Sequence, residues 1–237
     1  MANELEKFYS TFGARKHFWL REELSPIADE LTAAIPALRA EFLAEHPEFL
    51  EDNHSRLPSY NGNGAVDITG LVEEETWKSI GIQYKYPQKN FSIDVHDESR
   101  IKFPTACALT DKWSDLISCY SIITPNSEIK RHTGYENNAN LHIRIHVPLI
   151  VPAGDIFLEC EGEEIDWSDI FGFDNSLIHS AYNLSPHLRL IYLIDVRREL
   201  LGIEPGTPFN PLRRALSPNF VRGQVPKCLH TCQKEIV

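Results

Sequence analysis

Three side chains that can bind an anion or carry a proton, His142, Arg144 and His146, alternate with Leu141, Ile143, Ile145, Val147 and Leu149. Successive Cβ atoms leave a strand on opposite sides, so this period of two sets imidazole, guanidinium and imidazole on one face. The other face is wholly apolar. A half-exposed strand ordinarily shows water Lys, Glu or Thr, whereas His-x-Arg-x-His offers donors at neighbouring heights. A second polar-faced strand is expected from His187 to Asp195, with Arg189 near its start. His132 and His179 flank these segments; the first has Gly134 two residues on and the second precedes the last strand. Two imidazoles brought together at a barrel mouth suit a first-row metal such as Fe(II). The residue types therefore predict a β-barrel whose inner face binds an anion beside a metal.

The elements that would hold these groups are legible in outline. Short strands are expected at 77–84, 117–123, 141–151, 155–159, 169–173 and 187–196, separated by Gly, Pro and Asn turns. That spacing predicts a jelly-roll-like double sheet. Upstream, Ile27, Leu31, Ile35, Leu38 and Phe42 form an amphipathic helical pattern, with Ser25 as its N-cap and Pro26 at the first helical position. Pro36 is expected to kink or divide it. Residues 47–75 read as loop, and a helix or loop carries Phe103, Leu109, Trp113 and Leu116. The expected organisation is one structural domain: a helical and loop flank at 1–76, the barrel at 77–200 and an irregular extension at 201–237. The fold class is thus mainly β with some α, a cupin-like barrel with N-terminal helices packed on it.

Composition bounds the partners. The 237 residues carry a formal net charge of -11, which argues against nucleic acid or an anionic membrane surface as a partner. It leaves room for a small anion, since Arg144 and Arg189 can make a local positive pocket. No run approaches the roughly 18 apolar residues of a membrane span. The first residues lack the basic start and apolar segment of a secretory signal, so a cytoplasmic address is expected. Cys107, Cys119, Cys160, Cys228 and Cys232 are odd in number and dispersed, as reduced thiols would be. Cys228-Leu-His230-Thr-Cys232 lacks a second ligand cluster and reads as tail thiols more than as a zinc site. His142 has no assigned role, and His187 is expected at the rim.

Several segments, in order, resemble the aspartyl/asparaginyl β-hydroxylase family of Fe(II)- and 2-oxoglutarate-dependent oxygenases. They are Tyr120 to Pro125, His132-Thr-Gly134 with Asn137, Ile143-Arg-Ile-His146, Phe173-Asp-Asn-Ser-Leu-Ile-His179, and Arg189 to Val196. The resemblance implies a double-stranded β-helix with Fe(II), 2-oxoglutarate and O2 as cofactor and cosubstrates. His132 and His179 match the family's iron ligands; Arg189 and Ser121 match the pair that grips the distal carboxylate of 2-oxoglutarate. Arg144 and His146 match polar positions lining the same pocket, where they could meet the near carboxylate or a carboxylate of the substrate. Gly134 stands where most related oxygenases carry a ligating carboxylate, an absence the family shares. Asp174 and Asn175 are candidates for orienting the ligands, or simply form a turn.

Departures from the family are Tyr135 in place of a common proline and His142 in place of a basic residue. No counterpart of the membrane anchor and helical repeats of the animal enzymes is expected, so their protein-domain substrates are not expected to carry over. The expected reaction is hydroxylation of a small carboxylate-bearing metabolite, such as an amino acid or biosynthetic intermediate, with succinate and CO2 as coproducts. Two alternatives stay open: a non-catalytic cupin-like binding protein, and a halogenase, desaturase or cyclase using the same site. The oligomeric state is not legible.

Overall fold

The computed structural model describes residues 16–53, 57, 76–86, 91–93, 97–132 and 139–206. Eleven strands are formed by these residues: β1 (Phe18–Leu20), β2 (Trp77–Tyr86), β3 (Phe91–Ile93), β4 (Ile117–Ile123), β5 (Ser127–His132), β6 (His142–Ile150), β7 (Ile156–Cys160), β8 (Glu163–Asp166), β9 (Phe171–Phe173), β10 (His179–Asn183) and β11 (Arg189–Arg197). They pair antiparallel into a seven-stranded sheet, β1-β9-β6-β11-β4-β2-β3, and a four-stranded sheet, β5-β10-β7-β8. From β4 to β11 the chain passes repeatedly between the sheets, with β4, β6, β9 and β11 in one and β5, β7, β8 and β10 in the other. That alternation is the jelly roll, or double-stranded β-helix.

The central strands of the large sheet, β4, β6 and β11, are largely buried on both sides. Their outward row (Tyr120, Ile122, Ile143, Ile145, Val147, Leu190, Tyr192, Ile194) packs with buried residues of two helices, α1 (Ile27–Glu45) and α3 (Pro104–Trp113). A short helix, α2 (Asp97–Lys102), precedes α3. Gly172 of β9 lets this layer close tightly, since a Cβ there would lie 2.4 Å from a methyl of Ile143. Between the sheets lies a second core of Ile123, Ile129, Leu158, Trp167, Phe171, Phe173 and Ile191. Buried on both faces, β11 shows solvent only at Arg197, which explains its nearly unbroken apolar run.

Several expectations need correction. α1 runs through Pro36 without a break, held along its length by buried Ile27, Leu31, Leu38 and Phe42. Pro36 removes one N–H, but packing of the apolar stripe outweighs that local loss. Ser25 is not the N-cap; Pro26 takes that position and no side chain caps the helix. Residues 47–51 form a 3-10 turn within the expected loop. β1, β3, β5, β8 and β10 were not anticipated as strands. They are short or polar on their outer side, which leaves little apolar period to read. Gly134, Tyr135, Asn137 and the Cys228–Cys232 segment lie outside the described residues.

Candidate active site

His132 and His179 are both on strands, where the sequence placed them beside strands. His132 is the last residue of β5 and His179 the first of β10, and their Cα atoms are direct partners across the antiparallel pair. The backbone therefore brings the two expected metal ligands face to face. His179 is buried, and on its other side pairs with Cys160. Its Nδ1 lies 2.9 Å from the Leu177 carbonyl. A carbonyl only accepts, so Nδ1 carries the proton and Nε2 the lone pair. This is how a protein usually orients a metal-binding imidazole. Among the described residues, no group of three or more His, Cys, Asp and Glu side chains gathers around one point.

The register of the large sheet sets the anion-binding groups on the interior face. His146, Arg144 and His142 of β6 stand opposite Leu193, Asp195 and Arg197 of β11. On the other side of β11, Ile191 pairs with Ser121 and Arg189 with Ile123. Ser121 and Arg189 are thus diagonal neighbours on one face. Arg189 is among the most deeply buried side chains, at 1% exposure, and neither Nε nor Nη1 has a hydrogen-bond partner. Burial pulls its pKa down to about 9. The Trp167 ring sits 4.8 Å from its guanidinium carbon. Ser121 accepts a hydrogen bond from Trp77 Nε1 at 3.0 Å, which leaves its own hydroxyl proton to donate.

His146 is a second buried donor. Trp167 Nε1 donates to its Nδ1 at 3.1 Å, and its Nε2 has no partner. Burial first, then the charges of Arg189 and Arg144, push its pKa well below 6.5, so the ring is neutral. With Nδ1 accepting, the proton must sit on Nε2. Arg189 and His146 together present N–H groups with nothing to bind, an arrangement that costs free energy unless an acceptor arrives. A dicarboxylate supplies that acceptor, so the residues present fit 2-oxoglutarate. The His179 ring, with its Nδ1 proton held by the Leu177 carbonyl, leaves Nε2 suited to a metal, and the backbone of His132 is its cross-strand partner.

Arg144, expected to line the pocket, is engaged by protein partners. Its Nε and Nη2 grip Asp195 at 2.7 and 2.8 Å, and Nη1 donates to Asn175 Oδ1 at 3.0 Å. Asp195 neutralises it, a partner that sequence reasoning missed although it lies on the same face as Arg189, six positions along one strand. Asp174 caps its own turn through Ser176 and ion-pairs with Arg198 at 2.7 Å. Both residues thus brace the loop that leads to His179. His142 pairs with Asp115 and His187 with Asp52, away from these donors. Trp167 was also missed; its indole on a short linker gave no periodic signal.

The jelly roll thus sets two histidines on paired strands and buries a guanidinium and a neutral imidazole whose N–H groups lack protein partners. The family model described as aspartyl/asparaginyl beta-hydroxylase matches residues 26–199, and the chain belongs to that family. It is 31% identical over 101 residues to the mouse aspartyl/asparaginyl beta-hydroxylase and 29% identical to the human one. Each match covers 39% of this chain, which spans only 13% of the length of those relatives. Among solved structures, a 2OG-Fe(II) oxygenase family oxidoreductase from Burkholderia pseudomallei aligns with 84% of this chain and 99% of its own. That pair shares 12% identity and a TM-score of 0.41, so the fold assignment rests on the strand order itself.

Proposed function

We propose that the protein is an Fe(II)- and 2-oxoglutarate-dependent dioxygenase that hydroxylates a small molecule. The single observation that carries this reading is the pair of buried, unpartnered donors, Arg189 and His146, in the barrel whose mouth sets His132 opposite His179. In this reading Arg189 and Ser121 bind the distal carboxylate, a planar guanidinium matching two oxygens while the hydroxyl adds a third contact. His146 donates from Nε2 to an oxygen of the nearer end. His132 and His179 would hold the metal, and the Leu177 carbonyl would keep the His179 Nε2 lone pair available to it. Phe171, Phe173 and Ile191 keep water from the interior. When bound, iron with 2-oxoglutarate supplies the oxidising power that couples O2 to substrate hydroxylation, with succinate and CO2 as coproducts.

Arg144 has a different part. Committed to Asp195 and Asn175, it orients the loop before His179, and it offers no argument for a carboxylate on the substrate. The reading keeps the substrate class at a small molecule, and the net charge of -11 argues against nucleic acid. Among the described residues no helix is long and apolar enough to cross a membrane.

The test is succinate formation from 2-oxoglutarate under air with Fe(II) and ascorbate, uncoupled from any substrate. Succinate should form above the level of His179→Ala and Arg189→Ala proteins. Equal succinate from all three would favour the non-catalytic binding barrel. Once a substrate is found, product mass with and without chloride distinguishes hydroxylation from halogenation, and loss of two hydrogens marks desaturation or ring formation.

A further inference from the structure

We propose that Trp167 is a positioning residue for the anion site, fixing the tautomer of His146 and presenting its ring to the Arg189 guanidinium. The inference rests on the cosubstrate reading above only for the identity of the anion. Trp167 is buried in the linker between β8 and β9, where the chain passes from the small sheet to the large one. Its ring lies nearly parallel to that of His146, at 15° and 5.9 Å between centroids, while Nε1 donates to Nδ1. The same indole lies 4.8 Å from the Arg189 guanidinium carbon. One side chain thus touches both of the unpartnered donor residues on the interior face of the large sheet.

The chemistry follows from what each group can do. An indole N–H is a donor only, so the nitrogen it meets must keep its lone pair. A neutral imidazole has two tautomers, and the indole selects the one with the proton on Nε2. The opposite tautomer would turn a lone pair toward the anion and repel it. For Arg189 the ring's negative face attracts a cation that has lost its hydration, without consuming an N–H of the guanidinium. A carboxylate in that place would neutralise Arg189 and compete with the ligand. Trp167 therefore holds both donors ready while leaving their N–H groups to the anion. A tryptophan that merely fills the inter-sheet core would be replaceable by phenylalanine without effect on either donor.

The experiment combines nitrogen-15 spectra of histidine-labelled protein with calorimetric binding of 2-oxoglutarate and succinate, each with and without Zn(II) as a diamagnetic metal. In the wild type His146 should show a protonated Nε2 and a bare Nδ1. Trp167→Phe, which keeps a ring but loses the donor, should mix the tautomers and weaken binding about 5- to 10-fold, the loss of one hydrogen bond. In a His146→Ala background the same substitution should cost less than about twofold, because its main route of action is gone. A wild-type His146 protonated on Nδ1 overturns the proposal without any variant. So does a Trp167→Phe protein that folds with tautomer and affinity unchanged, or one equally impaired in both backgrounds. If the wild type binds neither dicarboxylate, the cosubstrate reading fails, while the tautomer spectra still decide the role of Trp167.

Discussion

Taking the Arg189 guanidinium out of water with no carboxylate beside it destabilises the empty protein, and the drop of its pKa to about 9 expresses that cost. Its contact with Trp167 offsets only part. Arg189→Leu should therefore raise stability by about 1 kcal/mol or more, seen as a melting temperature about 2–4 °C higher, while dicarboxylate binding weakens by about 2–4 kcal/mol. A structural arginine would show the reverse on melting. His146 makes a pH prediction. Its folded pKa lies well below 6.5, so below that pH the unfolded chain binds a proton that the folded protein refuses. Stability should then be fully present above pH 6.5 and fall as pH drops, this residue contributing up to about 1.4 kcal/mol per pH unit. Denaturant unfolding of His146→Gln between pH 5 and 7 should show a correspondingly flatter slope. The alternation around Arg144 announced its face from sequence alone, as did the isolation of Arg189 among apolar neighbours. The pairing of Arg144 with Asp195 did not, because it depends on which strands become neighbours.

At the scale of elements, the loop from Phe173 to His179 is fastened from two sides. Arg144 reaches Asn175, and Arg198, just after β11, reaches Asp174 while also donating to the His142 carbonyl at 3.2 Å. The chain then returns across this pair: Gly206 donates to the Asn140 carbonyl at 2.7 Å, and a Cβ on it would lie 2.9 Å from Arg198 Nη2. Asp174→Ala should cost about 3–5 kcal/mol of stability, since it leaves a buried guanidinium without its charge partner. It should also weaken metal binding by loosening the turn that aims His179, measured by competition with a chromogenic chelator. Asp174→Asn, which keeps the turn's acceptor, should recover much of the metal affinity. Asp174 and Asn175 were legible as candidates for orienting the ligands, but the partner Arg198 was not, because it sits 24 positions from Asp174 with no shared period. α1 shows the converse: its apolar stripe was legible, yet Pro36 misled, because a local propensity yielded to packing along Leu31, Leu38 and Phe42.

For the whole molecule, the jelly roll was readable from its long strands, whose alternation or unbroken apolar runs reflect burial on one or both faces. Of the small sheet only β7 was, since β5, β8 and β10 are short and carry little apolar alternation, and it is this sheet that carries both candidate metal ligands. A barrel built around unpartnered donors should be more stable when filled. Free 2-oxoglutarate at 100 times its dissociation constant should add about 2.7 kcal/mol to unfolding, and raise the melting temperature accordingly. The most direct test of the account is anaerobic titration of Fe(II)-loaded protein with 2-oxoglutarate, followed by visible absorption. The account predicts a charge-transfer band that saturates at one iron per chain, vanishes in His132→Ala and His179→Ala, and requires far more 2-oxoglutarate in Arg189→Ala. A band that survives loss of either histidine, or iron and 2-oxoglutarate that bind without producing one, would contradict it.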